Sequence, residues 1–295
     1  MAPTGIGWTA GCTMVVGQVS SRNKDMAEEV LVEAYGPVAV ITLNRPQAHN
    51  SLSPGIIQGL GEAYQRCDTD DSVRAVVLTG AGKSFCAGAD MSAGAQTFDG
   101  EAVSVEVDSC PLAMQAFEVR KPVIAACSGH AVGAGLGIAM QTDIRVFADE
   151  CKYGFLQSRR GVVTDFAMEF ILPRVVGMEK ALELLMRGQR LSGQEAVAWG
   201  LAGRSVPAAE VLATALEIAR DIAVNSAPMA VAMHKRLLWQ GLHMTYNGLA
   251  EKESRALNFT MSKPDAIEGG MAWFERREPV WQGSLAEDWP AWMDE

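Results

Sequence analysis

The chain has 295 residues, 48% of them apolar and 20% charged, so it carries enough apolar mass for a sizeable buried core. A formal net charge of −10 argues against nucleic acid or an anionic membrane surface as a partner, and no apolar run is long enough to span a bilayer. The six cysteines (Cys12, Cys67, Cys86, Cys110, Cys127, Cys151) form no CxxC pair, and with four scattered histidines they offer no metal-ligand spacing, so the expectation is a cytoplasmic protein with reduced thiols and no metal.

Residues 1–25 lack the basic start and apolar core of a signal peptide and read as a disordered leader or an upstream extension. "VLVEAYGPVAVITL" (Val30–Leu43) then gives two β-rich runs broken at Gly36-Pro37, the pattern of a hairpin. Ser53-Pro54 opens a helix, with serine as cap, proline at the first helical position and Ile57, Leu60 and Tyr64 at helical spacing. Val73–Gly80 and Pro122–Cys127 read as buried strands. The glycine-dense run "SGHAVGAGLGIAM" (Ser128–Met140) leads into a helix, and Thr142–Asp149 is a further strand. Strands alternating with helices predict parallel βαβ units. Ser192 and Glu195 form a capping box for a short helix ending before Gly200. Beyond Val211 only helical patterns remain, which divides the chain into an α/β core at 26–210 and a helical part at 211–295. There Glu251-Lys252-Glu253 with Arg255 reads as a solvated face carrying close ion pairs, and the methionines and tryptophans as packing between helices or subunits.

Two phosphate-binding motifs fail. Gly133-Ala134-Gly135-Leu136-Gly137 follows a strand, but a dinucleotide fingerprint needs a third glycine where Ile138 stands. Gly82-Lys83-Ser84 lacks the upstream P-loop glycine, because that position is Val77. What survives is the ability of glycines to bring backbone N–H groups close to an anionic oxygen.

Four segments in order, "ITLNRPQAHNSLS" (Ile41–Ser53), "VRAVVLTGAGKSFCAGADM" (Val73–Met91), "KPVIAACSGHAVGAGLGIAMQTDIRVFAD" (Lys121–Asp149) and "DAIEGGMAWFERREPVW" (Asp265–Trp281), carry a likeness, which "LPRVVGMEKALELLMRGQRLSGQEAVAWGL" continues between the last two. Over residues 28 to 282 the chain resembles the enoyl-CoA hydratase/isomerase, or crotonase, family. The resemblance implies an α/β fold, a crotonase-like ββα spiral core followed by a helical C-terminal oligomerisation region. It also implies trimers, commonly paired into hexamers. Its ligand is an acyl-CoA or enoyl-CoA thioester, met as substrate and not as a resident cofactor. The thioester oxygen would lie between the backbone N–H groups of Ala89 and Ala134. Gln47, Ala48 and His49, with Ala87, Asp90 and Met91, match the segments that line CoA. Arg276 and Arg277 match the segment that meets CoA phosphates, often across a subunit boundary, although a plain surface-charge role suits them equally well.

The resemblance breaks at the acid/base positions. The family's hydratases position water with two glutamates, and the matching residues are Gly137 and Gln157, neither able to accept a proton. Losing such a group typically costs about 10²–10⁴ in rate. One carboxylate stands nearby: Asp165 lies where some relatives, such as a dienoyl-CoA isomerase, carry a working aspartate. A helix N-cap ahead of the apolar run that follows is an equal alternative for it. A dehalogenase reading is weaker, since the loop after Met91 supplies no histidine. Glu106, Asp108 and Glu118 are expected to face solvent. Two functions stay open: a lyase or isomerase of the family using Asp165, or a non-catalytic fatty acyl-CoA-binding member of the fold.

Overall fold

The computed structural model describes residues 28–98 and 110–295, so the leader at 1–25, Glu106 and Asp108 lie outside it. Strands β1 (Val30–Tyr35) and β2 (Val38–Leu43) form the expected antiparallel hairpin. Helix α1 (Pro54–Thr69) starts where the sequence places it, with the Ser53 hydroxyl accepting the Ile56 N–H at 3.1 Å. The chain then alternates a long strand with a short one: β3 (Ala75–Gly80) and β4 (Ser84–Cys86), β5 (Val123–Cys127) and β6 (His130–Val132), then, after helix α2 (Ala134–Met140), β7 (Ile144–Ala148) and β8 (Tyr153–Gly154). Helices α3 (Met168–Val176), α4 (Met178–Arg187) and α5 (Gly193–Trp199) lead to β9 (Arg204–Val206). The Ser192–Glu195 capping box at the start of α5 is present, with both reciprocal bonds.

Strands β1, β2, β3, β5, β7 and β9 build a six-stranded sheet in that order, parallel except for the hairpin, and β4, β6 and β8 a second, parallel sheet in that order. From β3 to β8 each turn of this spiral therefore lays one strand in each sheet, the ββα architecture that the family resemblance implies. Strands β3 and β5 are buried throughout, which is why they read as unbroken apolar runs. No helix among the described residues is long and apolar enough to cross a membrane.

Helix α6 (Val211–Asn225) packs on β3, β5 and β7 through Ala215, Ala219 and Ala223, whose small side chains allow close approach. The core cluster thus runs past the 210/211 boundary read from composition. A second apolar cluster begins at Met229 on α7 (Pro228–Gly241) and takes in Ala256 of α8 (Tyr246–Met261). Helices α9 (Pro264–Glu275) and α10 (Leu285–Asp288) complete the chain, and Leu285 joins that cluster. Lys235 of α7 ties the two parts together, its ammonium 2.7 Å from Asp143 Oδ2 and donating to the carbonyls of Ala116 and Lys121 at 2.8 and 3.0 Å. The ion pairs expected within Glu251–Arg255 do not form. Lys252 donates instead to the Met293 carbonyl, and Arg255 lies over the Trp292 ring at 4.2 Å. Met229 and Met233 are buried between helices as expected, whereas Trp273 is 75% exposed.

Candidate active site

Two turns meet at the edge of the second sheet. The first follows β4, where the Ala87 N–H donates to His49 O at 3.0 Å and the Leu52 N–H to Gly88 O at 2.8 Å, so that Leu52 bridges to Ala89. Gly88 has φ +81°, and a Cβ there would stand 2.7 Å from Val132 O and 3.2 Å from Ala134 N. Only glycine suits this position, and its backbone rests directly on the second turn, Gly133–Ala134. There Gly133 (φ +57°) donates to Gly154 O, while its own carbonyl accepts from Leu136 and Gly137. No backbone carbonyl among the described residues takes the N–H of Ala89 or of Ala134. Two unpaired N–H donors therefore lie on adjoining turns.

The Gln157 amide lies flat over Gly133, its three outer atoms 3.8–3.9 Å from where a Gly133 Cβ would be. Its Nε2 donates to Asp165 Oδ1 at 3.4 Å, while its buried Oε1 has no partner. Burial pushes the Asp165 carboxyl above the ordinary carboxylate range, opposed by hydrogen bonds from its own N–H and from Gln157. Asp165 is not a helix cap. The cap position of α3 is Ala167, and Asp165 gives the helix only its carbonyl, which accepts the Met168 N–H at 3.3 Å. The physical reason lies in Phe166 and Ala167, both left-handed at φ +55° and +59°, a turn that separates the carboxylate from the helix start and leaves it against Gln157. Cys86 shares this neighbourhood, its thiol pushed up to about 12 by burial. At Gly137 no carboxylate reaches the site, and Phe166 packs against the glycine.

Comparison with known proteins gives this geometry its context. Residues 33–284 match the profile of the family described as enoyl-CoA hydratase/isomerase. The carnitinyl-CoA dehydratase of Proteus mirabilis is 34% identical, over 88% of this chain and all of that one. Among solved structures, a probable enoyl-CoA hydratase/isomerase from Mycobacterium abscessus superposes with a TM-score of 0.83 at 44% identity, covering 86% of this chain and 99% of that one. An enoyl-CoA hydratase from Bacillus anthracis gives 0.80 at 31% identity, covering the same shares. The chain belongs to the enoyl-CoA hydratase/isomerase family.

The segments matched to CoA take the following positions in the fold. Gln47 and Ala48 sit in a short helical turn (Pro46–Ala48), and His49 (φ +52°) follows with Nδ1 3.3 Å from Ser84 Oγ, beside Ala87. Met91 is surface-exposed. The Asp90 side chain is already engaged: it accepts the Ser92 N–H at 3.0 Å, and both Arg45 terminal nitrogens at 3.2 Å, and these bonds hold its carboxyl below the usual range, Ser92 most of all. Arg277 is likewise committed, to Glu268 and Glu275, while exposed Arg276 caps α9. None of the hydrogen bonds or ion pairs of these two arginines reaches residues 47–49 or 87–91. Glu118 is exposed as expected, its carboxylate accepting the Gln115 N–H.

Sequence reading passed over Arg45, visible only as the basic residue of "NRP". Its Nε pairs with Glu29 at 3.0 Å, and its Nη1 donates to Ser51 O at 2.8 Å as well as to Asp90. It thereby braces the segment that carries Ser51 and Leu52, just ahead of α1, to the loop that carries Ala89. Arg45→Ala should lower kcat by up to about 10²-fold, the order of effect of misplacing a reacting group by about 1 Å. Arg45→Lys should recover little of it, because an ammonium lacks the fork that spans several acceptors. Steady-state kinetics on both variants provide the check.

Proposed function

We propose that this family member is a lyase or isomerase that moves a proton along the acyl chain of a CoA thioester, with Asp165 as its acid/base. The observation that carries the reading is Asp165 itself, a carboxylate half-buried beside Gln157, which overlies the turn carrying the Ala134 N–H. The Asp165 carboxylate takes a proton from the carbon next to the thioester carbonyl. The electron pair moves onto the carbonyl oxygen, where the Ala89 and Ala134 N–H groups stabilise it, each such donor being worth about 3–4 kcal/mol. The proton then returns to another carbon, giving an isomer, or to a hydroxyl on the neighbouring carbon, which leaves as water. Dehydration is the chemistry named for the carnitinyl-CoA dehydratase relatives. CoA enters as part of the substrate, and these steps call for no resident cofactor.

Gly137 and Gln157 favour a second reading, a fatty acyl-CoA-binding protein that retains the donors without turnover. Assay of 3-enoyl-, dienoyl- and crotonyl-CoA with the parent and with Asp165→Asn separates the two. Binding without turnover in the parent supports the second, and turnover unchanged by the substitution removes Asp165 from the mechanism. We further propose assembly into trimers or hexamers through the C-terminal helices, where α9 leaves Ile267, Trp273 and Phe274 exposed, and a cytoplasmic location.

A further inference from the structure

We infer that Gly137 is the seat of Phe166, and that these two residues position Asp165; the inference rests on the reading of Asp165 as the acid/base. A Cβ at position 137 would stand 3.1 Å from the Phe166 Cβ and 3.5 Å from its ring atoms Cγ and Cδ2. A methyl group is already tight there, and a longer side chain meets the aromatic ring. Phe166 is 1% exposed and holds a left-handed backbone, as does Ala167. Two consecutive non-glycine residues in that region persist only when their surroundings over-determine them. Helix α2 supplies the constraint from one face: Gly137 accommodates the ring, and Gln141, one turn on, donates from Nε2 to Phe166 O at 3.3 Å. With Phe166 fixed, the residue before it is fixed too, and the Asp165 carboxylate meets Gln157. Gln157 in turn lies on Gly133 at the start of the same helix. The contacts form a closed circuit from α2 through Phe166, Asp165 and Gln157 back to α2. Glycine at 137 therefore belongs to an altered site, built around an aspartate that approaches from the turn ahead of α3.

The test compares Gly137→Ala, Gly137→Glu and Phe166→Leu with the parent and Asp165→Asn on 3-enoyl-, dienoyl- and crotonyl-CoA; a parent that turns over none of them overturns the acid/base reading and the inference with it. Gly137→Ala should lower kcat at least about tenfold while leaving KM and calorimetric thioester affinity little changed. It should also move the acid limb of the kcat profile to lower pH, because a displaced Asp165 gains solvent. Phe166→Leu keeps Cβ but loses the ring and should shift the limb the same way; it stands in for Gly137→Ala if that variant fails to bind thioester. The double variant should lose no more than the worse single one, since both act through one contact. Gly137→Glu should gain no crotonyl-CoA hydration. Parent-like kcat and pH profile in both Gly137→Ala and Phe166→Leu, or hydration gained by Gly137→Glu, overturns the inference. If Asp165→Asn abolishes turnover while those variants behave as the parent, the seat alone falls; if Asp165→Asn is active, the acid/base reading falls with it.

Discussion

Asp165→Asn should lower kcat by about 10²–10⁴, the usual worth of a positioned acid or base, with thioester affinity nearly unchanged. Asparagine has almost the same shape, can still hydrogen-bond to Gln157, and leaves the Ala89 and Ala134 donors intact because they are main-chain groups. In the parent, a base must be ionised, so kcat/KM should fall as pH drops through the raised native pKa of Asp165. The same shift sets the sign for stability. The native state holds the Asp165 proton over a pH range where the unfolded chain has already released it. Its contribution is therefore most favourable below the unfolded value, near 3.9, and is lost as pH rises through the native value. At neutral pH the ionised, half-buried carboxylate is a cost that asparagine removes, so Asp165→Asn should melt at or above the parent temperature. Calorimetric scans at neutral pH alongside turnover assays check both limbs. A variant that melts lower and turns over normally would contradict the whole assignment.

How much of this was legible in the sequence depends on how local the cause is. The β1–β2 hairpin, the Ser53 cap and the Ser192–Glu195 box were readable, since each is specified by residues within one turn of each other. The short strands of the second sheet were not, because β8 has two residues and β4 and β6 three, too few for any periodicity. Asp165 ahead of an apolar run has the local signature of an N-cap. What overrides it is a demand from α2, where Gly137 accepts the Phe166 ring and forces a left-handed turn ahead of the helix. Arg45 escaped notice for a related reason, as Asp90 and Glu29 lie on separate segments and only folding brings them to one guanidinium. The two turns that carry the Ala89 and Ala134 N–H groups came through the motif likeness. Composition alone said only that glycines were dense there.

Lys235→Met should destabilise the fold by about 3–5 kcal/mol, the range found when one partner of a buried ion pair is removed. All three ammonium hydrogens are used, on Asp143 Oδ2 and on the carbonyls of Ala116 and Lys121. Methionine fills similar volume but leaves two carbonyls short of a donor and removes the ammonium 2.7 Å from Asp143, leaving the Arg145 guanidinium, beyond ion-pair distance, to oppose that charge. Asp143 keeps the Val123 N–H at 2.8 Å and a weak bond from Trp239 Nε1 at 3.4 Å, which orient the carboxylate without neutralising it. For a chain of this size the loss corresponds to a fall in melting temperature on the order of 10 °C. Asp143→Asn should cost less, because the amide oxygen still accepts and Lys235 retains its two carbonyls. Combining the two substitutions should cost less than their sum, since the second removes a charge that the first had left unpaired. The lysine joins α7 to the core, so the same variants should also expose the C-terminal helices to hydrogen exchange before the central strands open. Strict additivity in the cycle, or uniform exchange across both parts, would mean that Lys235 is packing material and not the tie between them.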